Sequence, residues 1–349
     1  MNRRAFLGST AATFALAQFQ GYAATPFRVH QWQRDTRNPI LPPGGGSFDT
    51  DRCMNPFIVT RNGEYWLYYG GSDRKGRHTI CLATCPIDDL TAWKRHGPVL
   101  EPGGRGSFDE LWTVLPCVHR FGDKWHMYYS SLSADRGAGL QAFRGIGLAT
   151  SDDLLNWKKV SDEPVLLGDG FDEWADNKGI AGGGPIIELP QADGRTLYRM
   201  NYTLANGRPS RDLRINQAKQ SVIAHSYDGI TWTDRRVVLR PREEATYENA
   251  ATIALNPWQL EDGTWRAMYA GIGTRFGAYS ICEAASEDGL NWYRGAPGEN
   301  LSLPPGTAKW ENKMTEYPHV VDDGDRLRLF YCGNGYGTTG IGTAVAKKL

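Results

Sequence analysis

The chain reads as an all-β, five-bladed β-propeller with four antiparallel strands per blade and an N-terminal strand closing the last blade. Three observations predict it. An acidic residue beside an aromatic recurs five times, at Phe48-Asp49, Phe108-Asp109, Trp174-Ala175-Asp176, Tyr247-Glu248 and Trp310-Glu311. Each opening leads into a run with a marker residue (Pro56, Pro116, Pro185, Asn256, Pro318), at intervals of 60, 69, 71 and 62 residues. Units of that length holding several short strands fit propeller blades rather than helical solenoids. Finally, the fifth unit stops after three strands, while Trp32 and Asn38-Pro39-Ile40-Leu41 repeat the outer-strand pattern of Trp93 and Gly97-Pro98-Val99-Leu100.

Within each unit the elements follow in order. After the marker comes a tight turn, Asn62-Gly63, Gly122-Asp123, Asp193-Gly194, Asp262-Gly263 or Gly324-Asp325, whose residues tolerate positive φ and favour hairpins. The second strand is an aromatic run, YWLYYGG at 65–71 and its counterparts at 125–131, 197–203, 265–271 and 327–333. The third is small and apolar, and in four units a further turn ends in Trp93, Trp157, Trp232 or Trp292. No linker divides the repeat, so residues 28 to 349 are read as one domain whose ring closure leaves no open edge.

The N-terminal segment Asn2-Arg3-Arg4-Ala5-Phe6-Leu7-Gly8, with a mildly apolar run to about Phe19 and small residues near Ala23-Ala24, has the pattern of a twin-arginine export signal spanning residues 1 to 23. The expectation is a periplasmic or secreted protein that does not insert in the membrane after signal cleavage. Lys+Arg and Asp+Glu both number 39, so bulk charge gives no attraction for nucleic acid or anionic lipid. The six cysteines form no disulfide framework: Cys81 and Cys282 share one small-residue slot, and Cys53 and Cys117 are expected to stay unbridged. Seven scattered histidines, with no nucleotide loop and no nucleophile elbow, call for neither metal nor cofactor.

A blade entered at the axis opens two loops on one face: the one into its first strand and the one between strands two and three. The turns at Ser226-Tyr227-Asp228-Gly229 and Ser286-Glu287-Asp288-Gly289 then fall on the opposite face and read as hairpin chemistry. The recurring acids Asp49, Asp109 and Glu311 are expected to satisfy backbone amides at blade junctions; Asp176 and Glu248 stay open, because Lys178 and Asn249 add polar groups beside them. Departures from the repeat carry more: Asp51, Arg52 and Asn55, Glu110 and Trp112, Lys178, and Glu316 and His319 around Pro318. Glu316 stands in an otherwise apolar axial strand, where desolvation raises a carboxyl toward a usable general acid. An internal salt bridge with Arg52 or Lys178 fits the same position. Trp112 offers a stacking face for a sugar, and rim arginines including Arg275 suit carboxylate or phosphate groups.

These residues carry a resemblance. The repeat, the Phe-Asp openings, the Ser-x-Asp-Gly-x-x-Trp turns and the run Thr315-Glu316-Tyr317-Pro318-His319 resemble the five-bladed propeller glycosidases around glycoside hydrolase families 43, 32, 68, 117 and 130, over essentially the whole chain after the leader. Glu316-Tyr317-Pro318-His319 is similar to the Glu-Gly-Pro-His run that supplies the general acid in family 43, although it lies in the fifth repeat here. The base position of that family holds Asn55, and its third carboxylate is replaced at Gly184-Pro185. The resemblance implies a carbohydrate substrate and a glycosidase releasing a terminal sugar, with Glu316 as acid, Asp51 as the replacement base and Asp176 in reserve. Carboxylates on different blades favour the wide spacing of inversion. A phosphorylase and a non-catalytic carbohydrate-binding propeller stay open beside it.

Overall fold

The computed structural model describes residues 27–133, 142–168, 179–182, 184–205 and 219–349. The export segment, Asp176 and Lys178 lie outside them. The described chain is almost entirely β, with one short helical turn at Asn334–Gly337. Strand β1 (Gln33–Arg34) comes first in the chain and pairs antiparallel with the last, β21 (Ile341–Lys347). The next four, β2 (Arg52–Arg61), β3 (Glu64–Ser72), β4 (His78–Pro86) and β5 (Lys94–Leu100), pair in chain order. So do β6 (Trp112–Phe121), β7 (Lys124–Ser133), β8 (Ala142–Ser151) and β9 (Lys158–Lys159).

In the third group, β10 (Gly179–Ala181) and β11 (Ile186–Pro190) lie end to end against β12 (Thr196–Ala205), followed by β13 (Lys219–Ser226) and β14 (Thr233–Leu239). The fourth holds β15 (Ala251–Gln259), β16 (Trp265–Ile272), β17 (Tyr279–Ser286) and β18 (Leu301–Leu303). The last holds β19 (Glu316–Asp322), β20 (Arg326–Cys332), β21 and β1. Short parallel bridges, His78 with Trp112 and Lys219 with Ala251, join neighbouring groups.

The marker residues have a backbone cause. Asn55, Leu115, Ala254 and Tyr317 all take positive φ, between 53° and 54°, and each sits in a register shift of its axial strand. These are β-bulges, which bend the strand and raise its twist. Proline follows three of them and has no N–H to lose from the ladder. Gly184 occupies the corresponding place between β10 and β11; a Cβ there would meet Asn201 Cβ and Leu255 O at 2.6 Å, so no side chain fits.

Adjacent groups are stapled by buried threonines. Thr113, Thr252 and Thr315 donate to the carbonyls of Leu100, Leu239 and Leu303 on the preceding group's outer strand, at 2.8, 3.1 and 2.6 Å. The first and last groups also meet: the Tyr65 phenol donates to Asp323 at 2.5 Å, and the backbone N–H of Asn55 points at Cys332 Sγ at 3.1 Å. The aromatic second strands fill the core, with Tyr65, Tyr68, Tyr69, Tyr128, Tyr129, Tyr269 and Tyr331 fully buried. All six cysteines are free and buried.

Candidate active site

The recurring acids are architectural, through different partners from those expected. Asp49 accepts from the Tyr69 phenol at 3.0 Å and pairs with Arg95 at 2.9 Å. Asp109 repeats this with Tyr129 at 3.1 Å and Lys159 at 2.5 Å, and Glu311 with Tyr331 at 2.8 Å and Arg34 at 2.9 Å. Glu248 is held by the Tyr269 phenol, Arg242 at 2.6 Å and Arg294 at 3.2 Å. Among the described residues, backbone amides add to this at Asp49 and Asp109, from Gly46 and Gly103. Each acid therefore anchors a loop to a tyrosine of the second strand and to one or more cations. A buried carboxylate so paired resists change because losing one partner strands the other charge. Glu248, open between the two roles from the sequence, is held in the same way as this set.

Glu316 differs. It opens β19, directly after the Thr315 staple, and is fully buried. Among the described residues neither of its carboxyl oxygens has a hydrogen-bond partner. Burial pushes its pKa up to about 8, against the opposing pull of the Lys219 ammonium and of the Tyr317 phenol, which stays outside hydrogen-bond geometry. Burial thus favours the protonated form, and among the described residues the donor and acceptor capacity of the carboxyl is unused. No ion pair joins it to Arg52, which is committed to Asp51 at 3.0 Å.

Three tyrosines and a lysine surround this carboxyl. Tyr279 opens β17 and receives a hydrogen bond from Lys219 Nζ at 3.1 Å; the same ammonium lies 5.7 Å from its ring centre. Tyr336 sits edge-on to Tyr279, ring centres 6.3 Å apart, on the turn Asn334–Gly337. Its φ of 57° is unusual for a bulky residue. The turn is anchored by Asn334, whose side chain accepts from the N–H groups of Lys313 and Met314 and donates to Lys309 O. Burial raises the Tyr336 phenol to about 12, with the Glu316 charge adding to the shift and Lys219 and Arg52 opposing it.

Asp51, Arg52 and Trp112 gather around one histidine that the sequence reading missed. His78 opens β4, stacks on Trp112 with ring centres 4.1 Å apart, and is contacted by Ser72 Oγ at 3.4 Å. Burial, assisted by Arg52, lowers its pKa to about 4. Trp112 Nε1 donates to Gly76 O, so the indole is fixed and half-buried. Arg52 acts electrostatically on both His78 and Tyr336, which links this rim to the Glu316 cluster.

Other expected residues fall elsewhere. Asn55 lines a small axial cavity with Pro56, Leu115, Pro116, Ala254, Tyr317 and Pro318, beside the acid but through a bulge. Glu110 accepts from Gly106 N at 2.9 Å, and Arg275 is exposed over Phe276. His319 is a packing residue: Asn256 Nδ2 donates to its Nδ1 at 3.2 Å, so Nε2 carries the proton toward Ile58 O at 3.3 Å. Burial lowers its pKa to about 4 and keeps it neutral. Lys219, Tyr279 and His78 were missed because each is ordinary within its own strand, and Tyr336 because it lies on a turn. Topology is the signal that finds them: all but Tyr336 open a third strand, on the face where Glu316 opens a first.

No family model matches the chain. It is 28% identical over 290 residues to Uncharacterized protein Rv1502 of Mycobacterium tuberculosis, covering 80% of this chain and 87% of that one. Among solved structures, a glycosyl hydrolase from Bacteroides ovatus is 16% identical, covers 91% of this chain and 94% of its own, and superposes with a TM-score of 0.66. A thermostable family-43 glycoside hydrolase is 19% identical over 89% and 91%, with a TM-score of 0.60. A structure reported for the family-130 mannoside phosphorylases, a family containing glycoside hydrolases that target β-1,2 mannosidic linkages in Candida mannan, is 16% identical over 93% and 97%, with a TM-score of 0.64. At such identities the likeness speaks for fold and leaves the reaction to the site. The chain therefore shares its overall fold with these glycoside hydrolase structures.

Proposed function

We propose that this chain is an exported glycoside hydrolase that releases a terminal sugar, built as a ring of five four-stranded blades with β1 closing the last. The single observation that carries the reading is Glu316: a buried carboxyl, pushed toward its protonated form, whose two oxygens have no partner among the described residues. A group of that kind is costly to keep, and a glycosidic oxygen offers the acceptor its proton lacks. Glu316 is then the general acid, raised by burial into the range where it donates at neutral pH. Asp51, half-exposed and oriented by Arg52, is the base that activates water, with Asp176 in reserve for that role. Acid and base on different blades favour inversion. Trp112, stacked on His78, is the platform for a sugar face. The leader with Arg3-Arg4 supports export.

Phosphorolysis is the second reading, favoured by the cations Lys219 and Arg52 near the acid and by the family-130 likeness. The test is turnover of aryl pyranosides and furanosides by wild type and Glu316→Gln, with and without inorganic phosphate. Hydrolysis that is independent of phosphate and lost in the variant supports the reading. Sugar binding with no turnover on any substrate would overturn it in favour of a binding module.

A further inference from the structure

Among the described residues, the charge around Glu316 does not balance. Arg52 has Asp51 as its carboxylate, and the four architectural acids have their own cations. Lys219 has none: among the described residues no carboxylate lies within ion-pair distance of its ammonium, which donates to the neutral phenol of Tyr279. The Glu316 carboxyl feels the Lys219 charge but makes no ion pair with it. Lys219 is half-buried at the start of β13, so its charge is only partly screened by water. A half-buried ammonium with one neutral hydrogen-bond acceptor retains two N–H donors and an unmatched positive charge.

We propose that Lys219 selects a sugar bearing an anionic substituent, a carboxylate, sulfate or phosphate ester, in the ring that occupies the site beside Glu316. Tyr279 holds the ammonium in place, and the anion completes its coordination while Glu316 faces the glycosidic oxygen. Lysine suits this task as a compact point charge that does not demand a planar partner. The inference rests on the glycosidase reading and adds the substrate class to it.

The test measures binding to the full chain by calorimetry, in matched pairs: glucuronate against glucose, galacturonate against galactose, and the 6-sulfate and 6-phosphate of each neutral sugar. The expected result is a preference of at least about tenfold for one class of anionic member, as one charge-assisted contact supplies. Lys219→Met brings the members of that pair to within about twofold, Lys219→Arg retains part of the preference, and Glu316→Gln leaves the preference in place. Lys219→Gln is the replacement if the Met variant does not fold. A wild-type preference for the neutral member, or a preference that survives loss of the ammonium, overturns the inference while leaving the glycosidase reading intact. Inorganic phosphate binding at Lys219 as an obligatory co-substrate overturns it as well. Absence of binding to any saccharide overturns both.

Discussion

Lys219 and Tyr279, sixty residues apart in sequence and in neighbouring strand groups, are joined by a 3.1 Å hydrogen bond from ammonium to phenol. That pair borders a carboxyl which is buried with no partner among the described residues. The site is therefore a contest between burial, which keeps Glu316 protonated, and one nearby cation, which pulls the proton off. Burial wins, and several outcomes depend on that result.

The first concerns stability. The folded-state pKa of Glu316, about 8, lies above its ordinary value of 4.5. Between those values the folded chain binds a proton that the unfolded chain does not, so this group lowers stability as pH rises through the window, by at most about 1.4 kcal/mol per pH unit. Glu316→Gln removes the titration. The variant should melt progressively higher relative to wild type from pH 5 to pH 9. A melting difference that does not change with pH contradicts the assignment.

Activity should titrate on the same group. A general acid must hold its proton, so the rate falls on the alkaline side with an apparent pKa near 8. Lys219 lowers the Glu316 pKa, and Lys219→Met should move the alkaline limb to higher pH. A limb that stays put or moves down, in a pH–rate profile on one chromogenic substrate, rules out this coupling.

The architectural acids should behave oppositely. Tyr331→Phe removes a 2.8 Å hydrogen bond to buried Glu311 and should cost about 2 kcal/mol. Glu248→Gln strands Arg242 and Arg294, both largely buried, and should cost about 3 kcal/mol or more. Urea denaturation measures both, and kcat at a temperature where the variants are folded should stay within about twofold of wild type. Selective loss of kcat in Glu248→Gln would return that residue to the site.

The threonine staples make a smaller claim. Thr252→Val keeps the shape and removes a 3.1 Å bond to the neighbouring strand group, leaving Leu239 O short of a donor. The expected loss is about 1 kcal/mol in chemical denaturation; no change would mean that packing alone joins the groups there.

Much of this was legible in the sequence because it repeats. The strand order and the outer-strand likeness of the N-terminal segment follow from spacing and turn residues, and β1 does pair with β21. The marker prolines flagged bulges without revealing them, since the positive φ belongs to the residue before, which is Asn, Leu or Tyr. Glu316 was visible as a carboxylate in an apolar run. Its surroundings were not: Lys219, Tyr279, Tyr336 and His78 come from four different segments and meet only through the packing of sheets. Glu248 misled because an exposed-looking Tyr-Glu-Asn run hides an acid that Arg242, Arg294 and Tyr269 enclose. His319 misled because it neighbours the acid in sequence, while the bulge at Tyr317 turns it toward Asn256 and Ile58.

The central claim is that Glu316 donates a proton to a departing sugar oxygen. It is tested most directly by comparing wild type and Glu316→Gln on aryl glycosides whose leaving groups span a wide range of basicity. The account predicts that Glu316→Gln loses at least about a hundredfold in kcat on basic leaving groups and progressively less on acidic ones, which need little protonation. Equal rates for the two proteins on every substrate turned over would contradict it.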